Sequence, residues 1–232
     1  MLPQLNTSQH ELVVPSTGQK VKYRPFLVKE QKILMIAQES GDQNAIINAV
    51  CDLVNTCTEG SISNVEKLPT FDVEYIFLKI RSQSVGSVVP LVVTCEDDGE
   101  TKVDIQVDLD EIKIDIPKVD NVIKITDSIG ITLRYPDTKT IAKYSDSKDT
   151  VETTFGIISD CVVNIFDENE IYDEMSKKEL DDFIESMTAT QFQKLQDFFE
   201  STPRLSHTVN VTNPNTGVEN KIVIEGLSNF LE

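Results

Sequence analysis

The sequence has no tryptophan, only two histidines, and no C-x-x-C pair among its four cysteines. Each shortage removes a class of function. Histidine is the usual general base of a hydrolase or transferase, and only His10 and His207 are available. Neither lies in a recognisable motif, and G-x-S-x-G, Walker A, G-x-G-x-x-G and H-E-x-x-H are all missing. Both histidines are read as exposed strand-edge residues. With aromatics at 6%, the aromatic-lined carboxylate pair of a glycosidase is not expected. The acidic stretches CEDDGE, DLDEIKID and FDENEIYDEM match no EF-hand loop and read as solvated turns and helix starts. Catalysis is therefore not expected.

Long apolar runs are missing too. Nothing approaches the ~20 residues of a membrane-spanning helix. The opening MLPQLNTSQHELVV lacks the basic and apolar regions of a signal peptide, so a cytosolic protein without membrane partners is expected. Basic residues are scarce, 21 against 39 acidic ones, giving a net charge of −18. A phosphate backbone would be repelled over most of such a surface, which argues against nucleic acid as the main partner. Solubility through self-repulsion is the simpler use of the charge.

What is present fits a globular protein. The 232 residues suffice for one sizeable core or two small ones. A 39% hydrophobic and 26% charged composition is not that of a disordered chain. Cys51, Cys57, Cys95 and Cys161 read as buried thiols in a reducing compartment.

The pattern along the chain is α+β: antiparallel hairpins packed with helical clusters. ELVVPSTGQKVKYRP reads as a hairpin turning at Pro15-Ser16-Thr17-Gly18. Three helices should follow. The first, over 28–40, directs Ile33, Leu34, Ile36 and Ala37 inward and ends at Gly41. The second is capped by Asp42, and the third starts after Pro69-Thr70 and stops at Gly86. A second hairpin spans VVPLVVTCEDDGETKVDIQVDL, and EIKIDIP suggests another strand. The order then restarts. NVIKITDSIGITLRYP is a hairpin, residues 151–166 have helical spacing, and capping boxes at Ser176–Glu179 and Thr188–Gln191 open two helices. A last hairpin closes the chain. The expected organisation is a duplicated unit (hairpin, helices, hairpin) with domains 1–118 and 119–232.

Two hairpin turns have the shape of a zinc-ribbon knuckle, C-x-x-C-G. In one, Cys95 is followed by Asp98 and Gly99; in the other, Asn213 is followed by Thr216 and Gly217. A ribbon zinc takes four Cys or His ligands from two such turns. Here one cysteine remains, so no metal or other cofactor is expected, and the hairpins must be held by packing.

With these features assembled, the sequence resembles the baseplate hub protein family of T-even-type contractile-tail phages. The residues carrying the resemblance are VVPSTGQKVKYRPFLVKEQKILMIAQES, LPTFDVEYIFLKIRSQSVG and FQKLQDFFESTPRLSHTVNVTNPNTGVENKIVIEGLSNFL. The resemblance covers most of the chain and is strongest over residues 15–108. Similar proteins often carry C-x-x-C-G at the hairpin turns, which would make Cys95 a relic and Asn213/Thr216 a metal-free version. The resemblance implies a structural or assembly role in building the baseplate hub in the host cytoplasm, with other hub and tail proteins as partners and self-association left open. It implies no catalytic residues. A transient assembly factor absent from the virion is the alternative within this class; a metal-dependent regulator or enzyme is the alternative outside it. The apolar C-terminal residues Leu227, Phe230 and Leu231 are the candidate interface.

Overall fold

The computed structural model describes residues 7–114, 116, 120–145, 147 and 149–227. Among these the elements are β1 (His10–Val13), β2 (Lys20–Tyr23), α1 (Val28–Ser40), α2 (Gln43–Cys57), α3 (Thr70–Val85), β3 (Val88–Thr94) and β4 (Lys102–Asp108). They continue with β5 (Val122–Lys124), β6 (Gly130–Leu133), α4 (Thr138–Tyr144), α5 (Thr150–Asp160), β7 (Val162–Phe166) and β8 (Ile171–Tyr172). The last are α6 (Lys177–Glu185), α7 (Ala189–Glu200), β9 (Ser206–Thr212) and β10 (Glu219–Glu225). The fold class is α+β, with the strands in three two-stranded hairpins and one four-stranded antiparallel sheet.

The chain divides into two compact units. The first comprises Met1–Val65, Phe71–Asp115 and Pro203–Glu232, and the second Glu66–Thr70 and Ile116–Thr202. These units are not the halves 1–118 and 119–232, because the last hairpin belongs with the first unit. Packing explains the difference. Leu205, Val211 and Ile224 join Val89, Leu91 and Val107 of the β3–β4 hairpin in one apolar cluster, and each such side chain contributes about 1.5–3 kcal/mol on burial.

In the first unit β1 and β2 pair with Val13 opposite Lys20. Leu12, Val21 and Tyr23 face inward while Glu11, Lys20 and Lys22 face water, the alternation of a half-buried hairpin. Asp42 accepts from the Asn44 and Ala45 N–H groups to cap α2. Helix α3 supplies the largest buried side chains, Phe71, Ile76, Phe77, Leu78 and Ile80.

Helix α1 runs over the expected residues and ends at Gly41, whose φ of +68° is open to glycine. Its orientation differs from expectation. The buried positions are Glu30, Leu34 and Ala37, while Ile33 and Ile36 point outward. Glu30 sets this rotation. Its carboxylate accepts from the Leu27 N–H at 2.6 Å and pairs with Arg24 at 3.2 Å, so the line of Glu30, Leu34 and Ala37 is drawn inward.

The second unit carries the sheet in the order β5-β6-β7-β8, all antiparallel. Residues 151–166 are not one helix. Helix α5 stops at Asp160, the Cys161 N–H bonds back to the Ile157 and Ile158 carbonyls, and VVNIF continues as β7. Residues with two branches at Cβ favour the strand once the helix has ended. Both anticipated capping boxes are present, Ser176 with Glu179 and Thr188 with Gln191. Ile131, Leu133, Leu195 and Phe198 form the centre, and Tyr135 stacks on Phe198 with centroids 5.1 Å apart. A Cβ at Gly130 would run into the tip of the Phe166 ring, so a larger residue at this strand position would have to displace that ring. Among the described residues of EIKIDIP no strand forms: Lys113 makes a single bridge to Ser206, and Asp115 and Pro117 lie outside the described residues.

One local arrangement occurs in both units. In the first, the Arg24 N–H donates to the Cys57 carbonyl at the end of α2, and the guanidinium bonds the Pro25 carbonyl and Glu30. In the second, the Arg134 N–H donates to the Cys161 carbonyl at the end of α5, and the guanidinium bonds the Tyr135 carbonyl and Asp137. Each arginine thus ties the exit of a hairpin to a helix start and to a helix end. The cysteine beside each is fully buried, and desolvation pushes the Cys57 thiol up to about 11 and the Cys161 thiol to about 12. Such thiols are unreactive at neutral pH.

Candidate functional site

The two knuckle-shaped turns meet. In the β3–β4 hairpin the Cys95 N–H donates to the Thr101 carbonyl, and the Gly99 N–H donates to the Cys95 carbonyl at 3.0 Å. In the β9–β10 hairpin the Gly217 N–H donates to the Asn213 carbonyl at 2.8 Å, and Asn213 N–H to the Val218 carbonyl. The β1–β2 turn repeats the pattern, with the Gly18 N–H donating to the Val14 carbonyl at 2.8 Å. Gly18, Gly99 and Gly217 all have φ near +70°, the left-handed conformation that this turn requires at its fifth residue. The first unit therefore contains three turns of knuckle shape. The sequence signal for the third was present in Val14-Pro15-Ser16-Thr17-Gly18, whose Pro and Thr-Gly recur in Asn213-Pro214-Asn215-Thr216-Gly217.

Residues at metal-ligand positions are joined by hydrogen bonds. Asn213 is fully buried, and its amide nitrogen donates to Asp97 Oδ1 and Asp98 Oδ2, both at 2.9 Å. Its amide oxygen accepts from the Asn215 and Thr216 N–H groups at 2.8 and 3.3 Å. Thr216 donates its hydroxyl to Asp97, and Asn215 donates to Thr101 Oγ1. A second asparagine works in the other direction. Asn220 Oδ1 accepts from the Glu96 and Asp97 N–H groups at 2.9 and 3.0 Å, and its nitrogen donates to the Val218 carbonyl. The two turns are thus laced by side-chain amides from β9–β10 to carboxylates and backbone N–H groups of β3–β4.

The electrostatics follow from these bonds. Hydrogen bonds from Asn213 and Thr216 hold the Asp97 carboxyl below the usual range. Asp98 also accepts from the Thr101 hydroxyl and from the Thr101 and Glu100 N–H groups, and its carboxyl is held lower still. Cys95 is buried between the strands, and desolvation, reinforced by both aspartates, pushes its thiol up. A thiol kept protonated is a poor metal ligand. Among the described residues no group of three His, Cys, Asp or Glu side chains is placed to hold a metal ion.

The other residues singled out in the sequence lie apart from this clamp. His10 shares a hydrogen bond with Ser8 at 2.8 Å near the start of the first hairpin. His207 lies in β9 opposite Ile224. Leu227 is half-buried against the apolar cluster beneath the knuckles, while Phe230 and Leu231 lie outside the described residues. No helix among the described residues is long and apolar enough to cross a membrane.

Two hairpins whose knuckle turns are fastened by side chains, over a shared apolar cluster, define a ribbon-like structural module. The family described as T4 bacteriophage base plate protein matches residues 7–232, and the chain belongs to that family. It is a phage baseplate protein. No curated protein matches the chain, and no solved structure does either.

Proposed function

We propose that the protein acts in building the central hub of the baseplate, as a non-enzymatic structural subunit working through protein–protein contacts. The observation that carries this reading is family membership over residues 7–232, which takes in both compact units and the paired knuckles. The clamp supports it. Its carboxylates are occupied with structural hydrogen bonds, as befits a rigid mounting for a contact surface. Other hub and tail proteins are the partners, met in the host cytoplasm during assembly, with no part for nucleic acid or membrane. Leu227, Phe230 and Leu231 are proposed as a contact point. Deleting residues 227–232 should leave a folded protein that fails to support hub assembly; undiminished assembly would remove these residues from the interface.

Mass spectrometry of purified virions tests the subunit role. Stoichiometric presence is expected. Absence from mature particles, with baseplates failing to form when the protein is depleted, would make it an assembly factor that leaves the finished hub.

We also propose that residues 1–118 and 119–232 descend from one duplicated unit, supported by the matching arginine arrangements at Arg24 and Arg134. Distant family members with the two halves more alike would bear this out, and members carrying one arrangement without the other would count against it.

A further inference from the structure

Helix α1 leaves four large apolar side chains exposed to water. Val28 is 79% exposed, Ile36 57%, Ile33 56% and Met35 52%. Lys29 and Lys32 are exposed among them. A cluster of this kind on one helix is not needed for folding, since the inward line of Glu30, Leu34 and Ala37 already seats the helix. Exposed apolar clusters with a charged border mark contact surfaces. In a chain of net charge −18, the N-terminal part of this border carries Lys29 and Lys32, Lys29 lying 3.5 Å from Glu30, while the exposed Glu39 follows one turn beyond Met35.

The second unit carries the complementary surface. A groove of about 610 Å³ runs between β7, β8 and α6. Ile129, Phe166, Met175 and Phe183 line it half-buried, and Ile171 and Tyr172 stand exposed at its lip. Its charged lining is wholly acidic. Glu170, Asp173 and Glu174 are exposed, while Asp167 and Glu179 are engaged in local turns and the capping box. Strand β8 is also the edge of its sheet.

We propose that copies of this protein associate head to tail, with the outer face of α1 from one copy seated in the β7–β8–α6 groove of another. A helix laid by its apolar face into an apolar groove is a common recognition mode. Here Val28, Ile33, Met35 and Ile36 supply the apolar anchors, and Lys29 and Lys32 meet Glu170, Asp173 and Glu174. The occupant is a second copy because one chain carries both halves of the match. An anionic membrane is the weaker fit, since two lysines are set against the charge of the rest of the chain. Unlike surfaces in contact give a ring if the rotation closes and a chain if it does not. The inference is independent of where in the baseplate the protein acts.

The test uses the full chain alone, by sedimentation velocity over a wide concentration range at low and high salt. Association above the monomer mass is expected at low salt, weakening as salt screens the charged border. Ile33→Asp with Ile36→Asp should abolish it. So should Glu170→Lys with Glu174→Lys, with the melting temperature of each variant near that of the parent because all four sites are exposed. A chain combining Lys29→Glu and Lys32→Glu with Glu170→Lys and Glu174→Lys should associate again. A monomer under all conditions, or association that survives either set of changes, overturns the proposal.

Discussion

Asn213 Nδ2 lies 2.9 Å from Asp98 Oδ2, joining two residues 115 positions apart at places where a zinc ribbon would carry two of its ligands. The same nitrogen reaches Asp97 at the same distance. One neutral amide thus bridges two carboxylates of the facing turn, which fastens the turns and keeps the adjacent negative charges in fixed positions.

Removing that amide tests how much the clamp holds. Asn213 is fully buried and organises its own turn through the Asn215 and Thr216 N–H groups. Asn213→Ala should destabilise the protein by about 1–3 kcal/mol, the usual cost of leaving buried polar groups without partners. Urea melts should show this loss, with a smaller one for Asn215→Ala, whose side chain is exposed and makes one bond to Thr101. Equal effects would mean that the buried bridge is not the organising bond.

Acid should loosen the same clamp. The folded carboxyls of Asp97 and Asp98 lie below their ordinary 3.8, so the unfolded chain binds protons first as pH falls. Their contribution is therefore complete above that value and is lost as pH drops through the folded values. Glu74 behaves in the opposite sense. Burial raises its carboxyl to about 7, so the folded state holds the proton longer and stability declines as pH rises from 4.5 toward 7. Glu74→Gln should raise stability at neutral pH and flatten the profile in that window, whereas Asp98→Asn should flatten it only at the acid end. Parallel pH–melting curves of the three proteins check both signs.

Much of this arrangement is visible in the residues, and the exceptions have physical causes. Turns were legible because Gly41, Gly99 and Gly217 occupy left-handed positions that few other residues tolerate. Helix caps at Asp42, Ser176 and Thr188 were legible because capping is local. The outward rotation of α1 was not, because it depends on Glu30 meeting Arg24 and the Leu27 N–H, and a charged residue on the inner line reads as a surface residue. Val162–Phe166 follows helical spacing as well as strand spacing, and pairing with β6 decided between them. The knuckles were recognisable one at a time. That Asn213 faces Asp97 and Asp98 is a long-range contact, and no local pattern announces it.

The two arginine arrangements should differ in weight although their geometry is shared. Arg24 and Glu30 are 13% and 7% exposed, whereas Arg134 is 39% exposed. Arg24→Met leaves the buried Glu30 carboxylate with the Leu27 N–H and the exposed Lys29 ammonium 3.5 Å away, so the loss should fall below the ~3–5 kcal/mol of a buried charge left unpaired. Arg134→Met should cost less, since water can reach the site and Asp137 keeps its cap on the Thr140 N–H. Thermal or urea unfolding of the two variants separates these cases. Equal losses would show that the guanidinium bonds to the Pro25 and Tyr135 carbonyls, common to both, outweigh the acidic partners.

The strongest test of the knuckle geometry is to supply the missing ligands. The parent protein should bind no stoichiometric zinc, and chelator should leave its melting temperature unchanged. Asp98→Cys, Asn213→Cys and Thr216→Cys, added to Cys95, give each turn the C-x-x-C-G pattern, with the four thiols converging where the amide and carboxylates now meet. Four thiolates suit tetrahedral zinc, and a bound ion lowers thiol pKa enough to overcome the burial that keeps Cys95 protonated. The triple variant should take up one zinc per chain, melt higher with the metal than without it, and lose that gain to chelator. Failure to bind zinc in a folded variant would show that the turns share the knuckle shape without the spacing a ribbon site requires.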